Sequence, residues 1–220
     1  MTVDHSMTRL IPAGAKRALS ARGLIGSLLL LMGVLFTAHV QAKDGATGPR
    51  VRLATNMGDI VLELDAKAAP KTVENFIRYV NEKHYDGTIF HRVIDGFMIQ
   101  GGGYTPDMQQ KATLSPIENE APDILARGGP RNEVGTIAMA RTGDPHSATN
   151  QFFINVKFNG SLNYVSKSQQ GWGYTAFGRV IDGMNIVGRI SRMETGKGGP
   201  FPSDVPTEQV IIEEAKLVAN

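Results

Sequence analysis

The residues of this chain best suited to chemistry lie in one segment, Phe90-His91-Arg92-Val93-Ile94-Asp95-Gly96-Phe97-Met98-Ile99-Gln100-Gly101-Gly102-Gly103. It places a permanent cation, a Phe, a Met and a Gln on two short apolar runs separated by Asp95-Gly96, a hairpin signal. If Arg92 and Gln100 project to the same side as Met98, a guanidinium stands beside an apolar floor. The same residues also describe an ordinary barrel strand, with a surface Arg over core Phe and Met. Spacing alone leaves both readings open.

Other chemistries find little support. The chain has 220 residues and no cysteine, which removes cysteine nucleophiles, disulfides and Cys-built metal sites. His84, His91 and His146 lie far apart and without ligand spacing, so no metal is expected. No phosphate-binding loop, nucleophile elbow or zinc-protease motif occurs. Gly171-Trp172-Gly173-Tyr174-Thr175-Ala176 fits a loose dinucleotide pattern but neither follows a clear strand nor opens a helix. Asn159-Gly160-Ser161 fits a glycosylation sequon, a match too short to weigh.

The formal charge of +2 is unevenly placed. Residues 1–42 hold four of the 23 basic residues and one of the 21 acidic ones, so the remainder carries 19 against 20, a net of −1. The same segment has an apolar run from Leu24 to Ala38, then Val40 and Ala42 two apart. A basic start, a short apolar stretch and small residues at alternate positions form a secretory signal peptide, with cleavage expected after Ala42. The run is short for a membrane span, which needs roughly 20 residues. Residues 43–50 are a polar lead-in.

The elements that must hold the candidate residues follow from periodicity. Strand patterns occur near 51–55, 60–64, 88–94, 97–100, 136–140, 151–156, 174–181 and 209–218. Pro70 suits a first helical turn, and Val73, Phe76, Ile77 and Val80 form one helical face. Met184, Val187 and Ile190 predict a second short helix. Between Gly101 and Gly135 glycines and prolines erase any pattern, and a stretch this long is expected to be functional or flexible. Eight short strands with Gly-rich turns point to an all-β dominated domain, a closed barrel or sandwich, over residues 51–220.

The Phe90–Gly103 segment resembles the signature of the cyclophilin-type peptidyl-prolyl cis-trans isomerases. Thr136–Ala140 (TIAMA), Asn150–Ile154 (NQFFI), Ala176–Val180 (AFGRV) and Asp182-Gly183-Met184 continue the resemblance in order across about Val51 to Val218. It implies a closed eight-stranded antiparallel β-barrel capped by two α-helices. With the signal segment, the chain is most similar to the bacterial periplasmic branch. The implied activity is rotation about X–Pro bonds, without cofactor or metal, during folding of exported proteins. Arg92 and Gln100 are the implied catalytic residues. Phe97, Met98, Phe153 and Leu162 would form the proline slot. Ala140, Arg141, Gln151 and Tyr174 would line the groove, with His91 in support. Implied partners are proline-containing flexible polypeptides, with no nucleic acid, no membrane after cleavage, and a monomeric state. A proline-binding chaperone in which turnover is secondary would use the same slot.

Two departures from the family pattern stand out. Ala140-Arg141-Thr142 replaces the Ala-Asn-Ala of many members, and the added charge bears on the residue accepted before proline. Ser161 stands where many members carry an aromatic residue before the leucine matched by Leu162, which implies weak cyclosporin binding.

Overall fold

The computed structural model describes residues 48–219. The expected signal segment, 1–42, lies outside the described residues. Strands β1 (Arg50–Thr55) and β2 (Gly58–Leu64) form the first hairpin, followed by helix α1 (Pro70–Asn81). Strands β3 (Thr88–Ile94) and β4 (Met98–Gly101) form the second hairpin. After a long connection come helix α2 (Ala121–Ile124), β5 (Thr136–Met139), β6 (Phe152–Asn155), β7 (Ala176–Asp182) and helix α3 (Met184–Ser191). The chain closes with β8 (Thr195–Gly198), β9 (Phe201–Pro206) and β10 (Ile211–Val218). Eight strands make a closed barrel in the order β1-β10-β3-β4-β6-β5-β7-β2, with every neighbouring pair antiparallel. Closure leaves no open edge in the barrel sheet.

Alternation along each strand sorts the side chains. Leu53, Ile60, Leu62, Phe90, Val93, Ile99, Ile137, Phe152, Ile154, Phe177 and Ile212 join one buried cluster that fills the barrel. Phe76 of α1 enters it, with ring centroids 5.1 Å from Tyr85, 5.6 Å from Phe152 and 5.2 Å from Phe177. Val187 and Ile190 of α3 join the same cluster. Each large apolar side chain buried this way contributes about 1.5–3 kcal/mol.

Helix α1 begins at Pro70 and has no acid in its first turn. Glu120, from the connection after β4, supplies one. Its carboxylate accepts from the backbone N–H groups of Lys71 (3.2 Å) and Thr72 (2.8 Å) and from the Thr72 hydroxyl (2.7 Å). A buried carboxylate there satisfies orphan donors and suits the positive end of the helix dipole.

The structure adds elements that periodicity misses. The Gly101–Gly135 connection is ordered: Tyr104 bridges Gln110, Ile117 bridges Ala148, and α2 makes a single turn. Four helical residues are too few for a 3.6-residue period to register. The ribbon β8–β9 lies outside the barrel sheet. Its glycines and prolines mask its strand character in the sequence.

Candidate active site

The expected site residues assemble on the outer face of the barrel. Register places Arg92 of β3 opposite Gln100 of β4, Gln100 opposite Phe153 of β6, Phe153 opposite Ala138 of β5, and Ala138 opposite Ala176 of β7. One transverse row therefore runs from a guanidinium through an amide to an aromatic ring and two methyl groups. Met98, Ala138, Phe153 and Ala176 form a second buried cluster, separate from the barrel core, with Ile94, Phe97, Ala140, Leu162 and Tyr174 packed against it. This is an apolar floor with half-exposed walls.

A bulge turns Arg92 to that face. Phe90 pairs with Gly101 and Arg92 with Gln100, so His91 is an extra residue in β3. Phe90 and Val93 both enter the barrel core, which leaves His91 and Arg92 outside it. A bulge of this kind re-aims a side chain at an active site.

The polar rim is held by hydrogen bonds. Gln100 Nε2 donates to Gln151 Oε1 at 2.8 Å. A Cβ at Gly103 would stand 2.5 Å from Gln151 Cγ, so glycine there leaves room for the Gln151 side chain. Arg141 lies with its guanidinium 4.6 Å from the Tyr174 ring centroid and donates from Nε to the Gly173 carbonyl at 2.9 Å. The Tyr174 ring meets Phe153 edge-on at 5.6 Å. One side of the groove is thus bounded by a cation–π pair.

The walls are fixed from behind by asparagines. Asn159 Nδ2 donates to the Phe97 carbonyl (2.9 Å) and to Asn155 Oδ1 (2.7 Å). Asn155 Nδ2 donates to the Thr136 hydroxyl (3.0 Å) and to Asn132 Oδ1 (3.2 Å), while Asn132 Nδ2 donates to the Leu162 carbonyl (3.1 Å). A satisfied buried network of this kind rigidifies what it touches. Here it joins Phe97 to Leu162, the two walls of the slot.

Comparison with known proteins bears on what such a groove is. The family described as cyclophilin type peptidyl-prolyl cis-trans isomerase/CLD matches residues 50–217. The chain belongs to the cyclophilin family. This cyclophilin is 59% identical over 168 residues to the peptidyl-prolyl cis-trans isomerase cyp18 of Streptomyces antibioticus, covering 76% of this chain and 98% of that protein. It is 55% identical over 167 residues to peptidyl-prolyl cis-trans isomerase B of Escherichia coli, covering 76% and 98%. A crystal structure of a Cryptosporidium parvum cyclophilin type isomerase superposes with a TM-score of 0.59 at 28% identity, covering 78% of this chain and 98% of that one. Another structure of that protein was determined in the presence of the dipeptide Ala-Pro, with a TM-score of 0.58, 27% identity and coverage of 78% and 99%. The enzyme activity of this cyclophilin is peptidyl-prolyl cis-trans isomerisation.

Of the residues expected at the site, the structure brings Arg92, Phe97, Met98, Gln100, Ala140, Arg141, Gln151, Phe153, Leu162 and Tyr174 together around this groove. His91 is not among them. It is 1% exposed, its ring 4.7 Å from that of Tyr104 and stacked 5.4 Å from that of Phe201. Its side chain therefore packs behind the groove, against Tyr104 and Phe201. Burial, chiefly, lowers its pKa to about 4, partly opposed by the Ile89 backbone and the Gln151 side chain, and Arg92 lowers it further. His91 is neutral at physiological pH.

Sequence reasoning missed Ala138, Ala176, the asparagine network and Asp204. Alternation with Ala140 along β5 could have found Ala138. Asp204 on β9 places Oδ2 3.7 Å from Arg92 Nε. No pattern in the sequence pairs residues so far apart.

Proposed function

We propose that this cyclophilin turns over X–Pro bonds with Arg92 as the donor, acting as a monomer on flexible, proline-containing segments of exported proteins. Amide resonance sets a rotation barrier of about 18–20 kcal/mol. Twisting the C–N bond makes the prolyl nitrogen pyramidal and gives it an accepting lone pair. A donor that bonds this lone pair acts only near the transition state, which is the condition for raising the rate. The proline ring seats on Met98 and Phe153 between Phe97 and Leu162. Gln100 holds the substrate backbone, and Arg92 supplies the donor without any nucleophile, metal or cofactor. The row of paired residues from Arg92 through Gln100 to Phe153 carries this reading, and it favours turnover over binding alone. The presence of Ala-Pro in crystals of the Cryptosporidium relative agrees with a slot sized for proline.

One donor aimed at charge developing in the transition state is worth about 2.7–4 kcal/mol. Arg92→Ala is therefore expected to lower kcat/KM for a short X–Pro peptide about 10²- to 10³-fold. An unchanged rate removes Arg92 from the mechanism.

Export is supported by the basic, apolar and small-residue order of residues 1–42 and by the net charge of −1 that remains without them. The location that follows is the periplasm, where a cysteine-free chain has no thiol to oxidise. N-terminal sequencing of the protein from the periplasmic fraction is expected to begin at Lys43. An intact N-terminus rejects cleavage.

A further inference from the structure

The ribbon β8–β9 packs against the strand that carries Arg92. It is anchored one residue before the catalytic cation: Phe201 stacks on His91 at 5.4 Å and meets Tyr104 edge-on at 5.1 Å. Three residues beyond Phe201, Asp204 reaches Arg92 itself. The ribbon is irregular at this point. Gly196 pairs with Val205 and Gly198 with Phe201, so β9 holds extra residues between the two pairs, and Asp204 is one of them. Asp204 also adopts a φ of 67°, which L-residues rarely take and which Asp and Asn tolerate better than most. Two bulged strands thus turn a cation and an anion toward one another.

We propose that Asp204 is a positioning residue that orients the Arg92 guanidinium. Its carboxylate lies at 3.7 Å from Nε, and among the described residues no carboxylate pairs with the terminal nitrogens of Arg92. The donors of those two nitrogens are therefore left for substrate. The Arg92 side chain is 41% exposed and that of Asp204 34%. In such a setting a long side chain is free to sample many rotamers, and an anchor at Nε restricts them before substrate arrives. The anion also weakens the field of Arg92, and the two effects oppose one another in kcat, so a fall on removing the charge reports orientation as the larger. Asp204 touches Arg92 and not the reacting bond.

The inference rests on Arg92 being the donor, and the experiment separates the two. Isomerisation of a short Ala-Pro peptide would be followed for wild type, Asp204→Asn, Arg92→Ala and the double variant. Asn keeps the shape and accepts the positive φ while removing the charge. For Asp204→Asn, kcat is expected to fall about tenfold with KM and melting temperature little changed. That lies between the few-fold effect of an exposed ion pair and the roughly hundredfold cost of a 1 Å misplacement. In the Arg92→Ala background, the same substitution is expected to have no further effect. Wild-type kcat in Asp204→Asn, with Arg92→Ala impaired, overturns the inference. So does an equal fold loss on both backgrounds. A wild-type rate in Arg92→Ala overturns the reading of Arg92 and the inference with it. Should Asp204→Asn lower the melting temperature, the cycle is run with Asp204→Gly, which is free at this φ, and the same outcomes decide.

Discussion

At the scale of single residues, the site is defined as much by Ser161 as by Arg92. Ser161 is exposed in the 3-10 turn Gly160–Leu162, directly before a wall of the proline slot. The proposed seating of proline on Met98 and Phe153 between Phe97 and Leu162 asks nothing of residue 161. A ligand large enough to extend past that slot would meet a hydroxyl in place of a ring. Cyclosporin is expected to inhibit weakly while isomerisation is retained. Ser161→Trp should strengthen inhibition roughly tenfold, about 1.4 kcal/mol, a gain within reach of an aromatic contact plus its buried area. A competition assay showing tight inhibition of the unaltered protein sinks this idea. Arg92 and Gln100 drew notice because they fall in one contiguous motif, but spacing left their common face open, and the register of β3 with β4 pairs them. The burial of His91 in the same motif was not legible, since a bulge at that position breaks the strand parity. Asp204 was invisible because its partner is more than a hundred residues away.

At the scale of elements, the barrel strands and the two longer helices were legible because each buries one periodic face. The connection after β4 was not, because side-chain hydrogen bonds hold it. Asn119 donates to the Gly173 carbonyl and accepts from Thr175, and Glu120 caps α1. A segment read as patternless therefore completes a helix some fifty residues earlier. Thr72 is fully buried, so removing the carboxylate leaves its N–H and hydroxyl without their acceptor in a place water does not reach. Glu120→Ala is expected to destabilise the fold by about 3 kcal/mol, from stranded donors and lost charge-assisted bonds. Urea unfolding should show a lower midpoint with an unchanged slope. An unchanged midpoint would mean that the cap contributes nothing. Activity per folded molecule should persist, because Glu120 touches no residue of the groove row.

At the scale of the whole molecule, buried titratable groups define a pH window for stability that catalysis does not share. His91 has a folded pKa of about 4, against an ordinary 6.5, chiefly through burial, and His84 is lowered in the same direction by burial and by Lys111. As pH falls below 6.5 the unfolded chain takes up protons that the folded chain refuses. Stability therefore drops toward pH 4, at about 1.4 kcal/mol per unit and group at most. Tyr85 and Tyr79 are raised by burial, so above pH 10 the unfolded chain loses protons that the folded one keeps, and stability drops again. The plateau lies between. The exposed carboxylates Glu118 and Glu214 are lowered by Lys71 and by Lys216 with Arg52, and their effect begins only below 4.5. The interval from pH 7 to 5 therefore isolates the histidines. Over it His91 alone is expected to cost about 2 kcal/mol. His91→Phe, which keeps a ring against Tyr104 and Phe201, should remove that share, read as a flatter urea midpoint between pH 7 and 5. Identical slopes for the two proteins would show that His91 titrates alike in both states. The isomerisation rate of the folded protein should stay level across the same interval, because the proposed donor is a guanidinium, a permanently charged group.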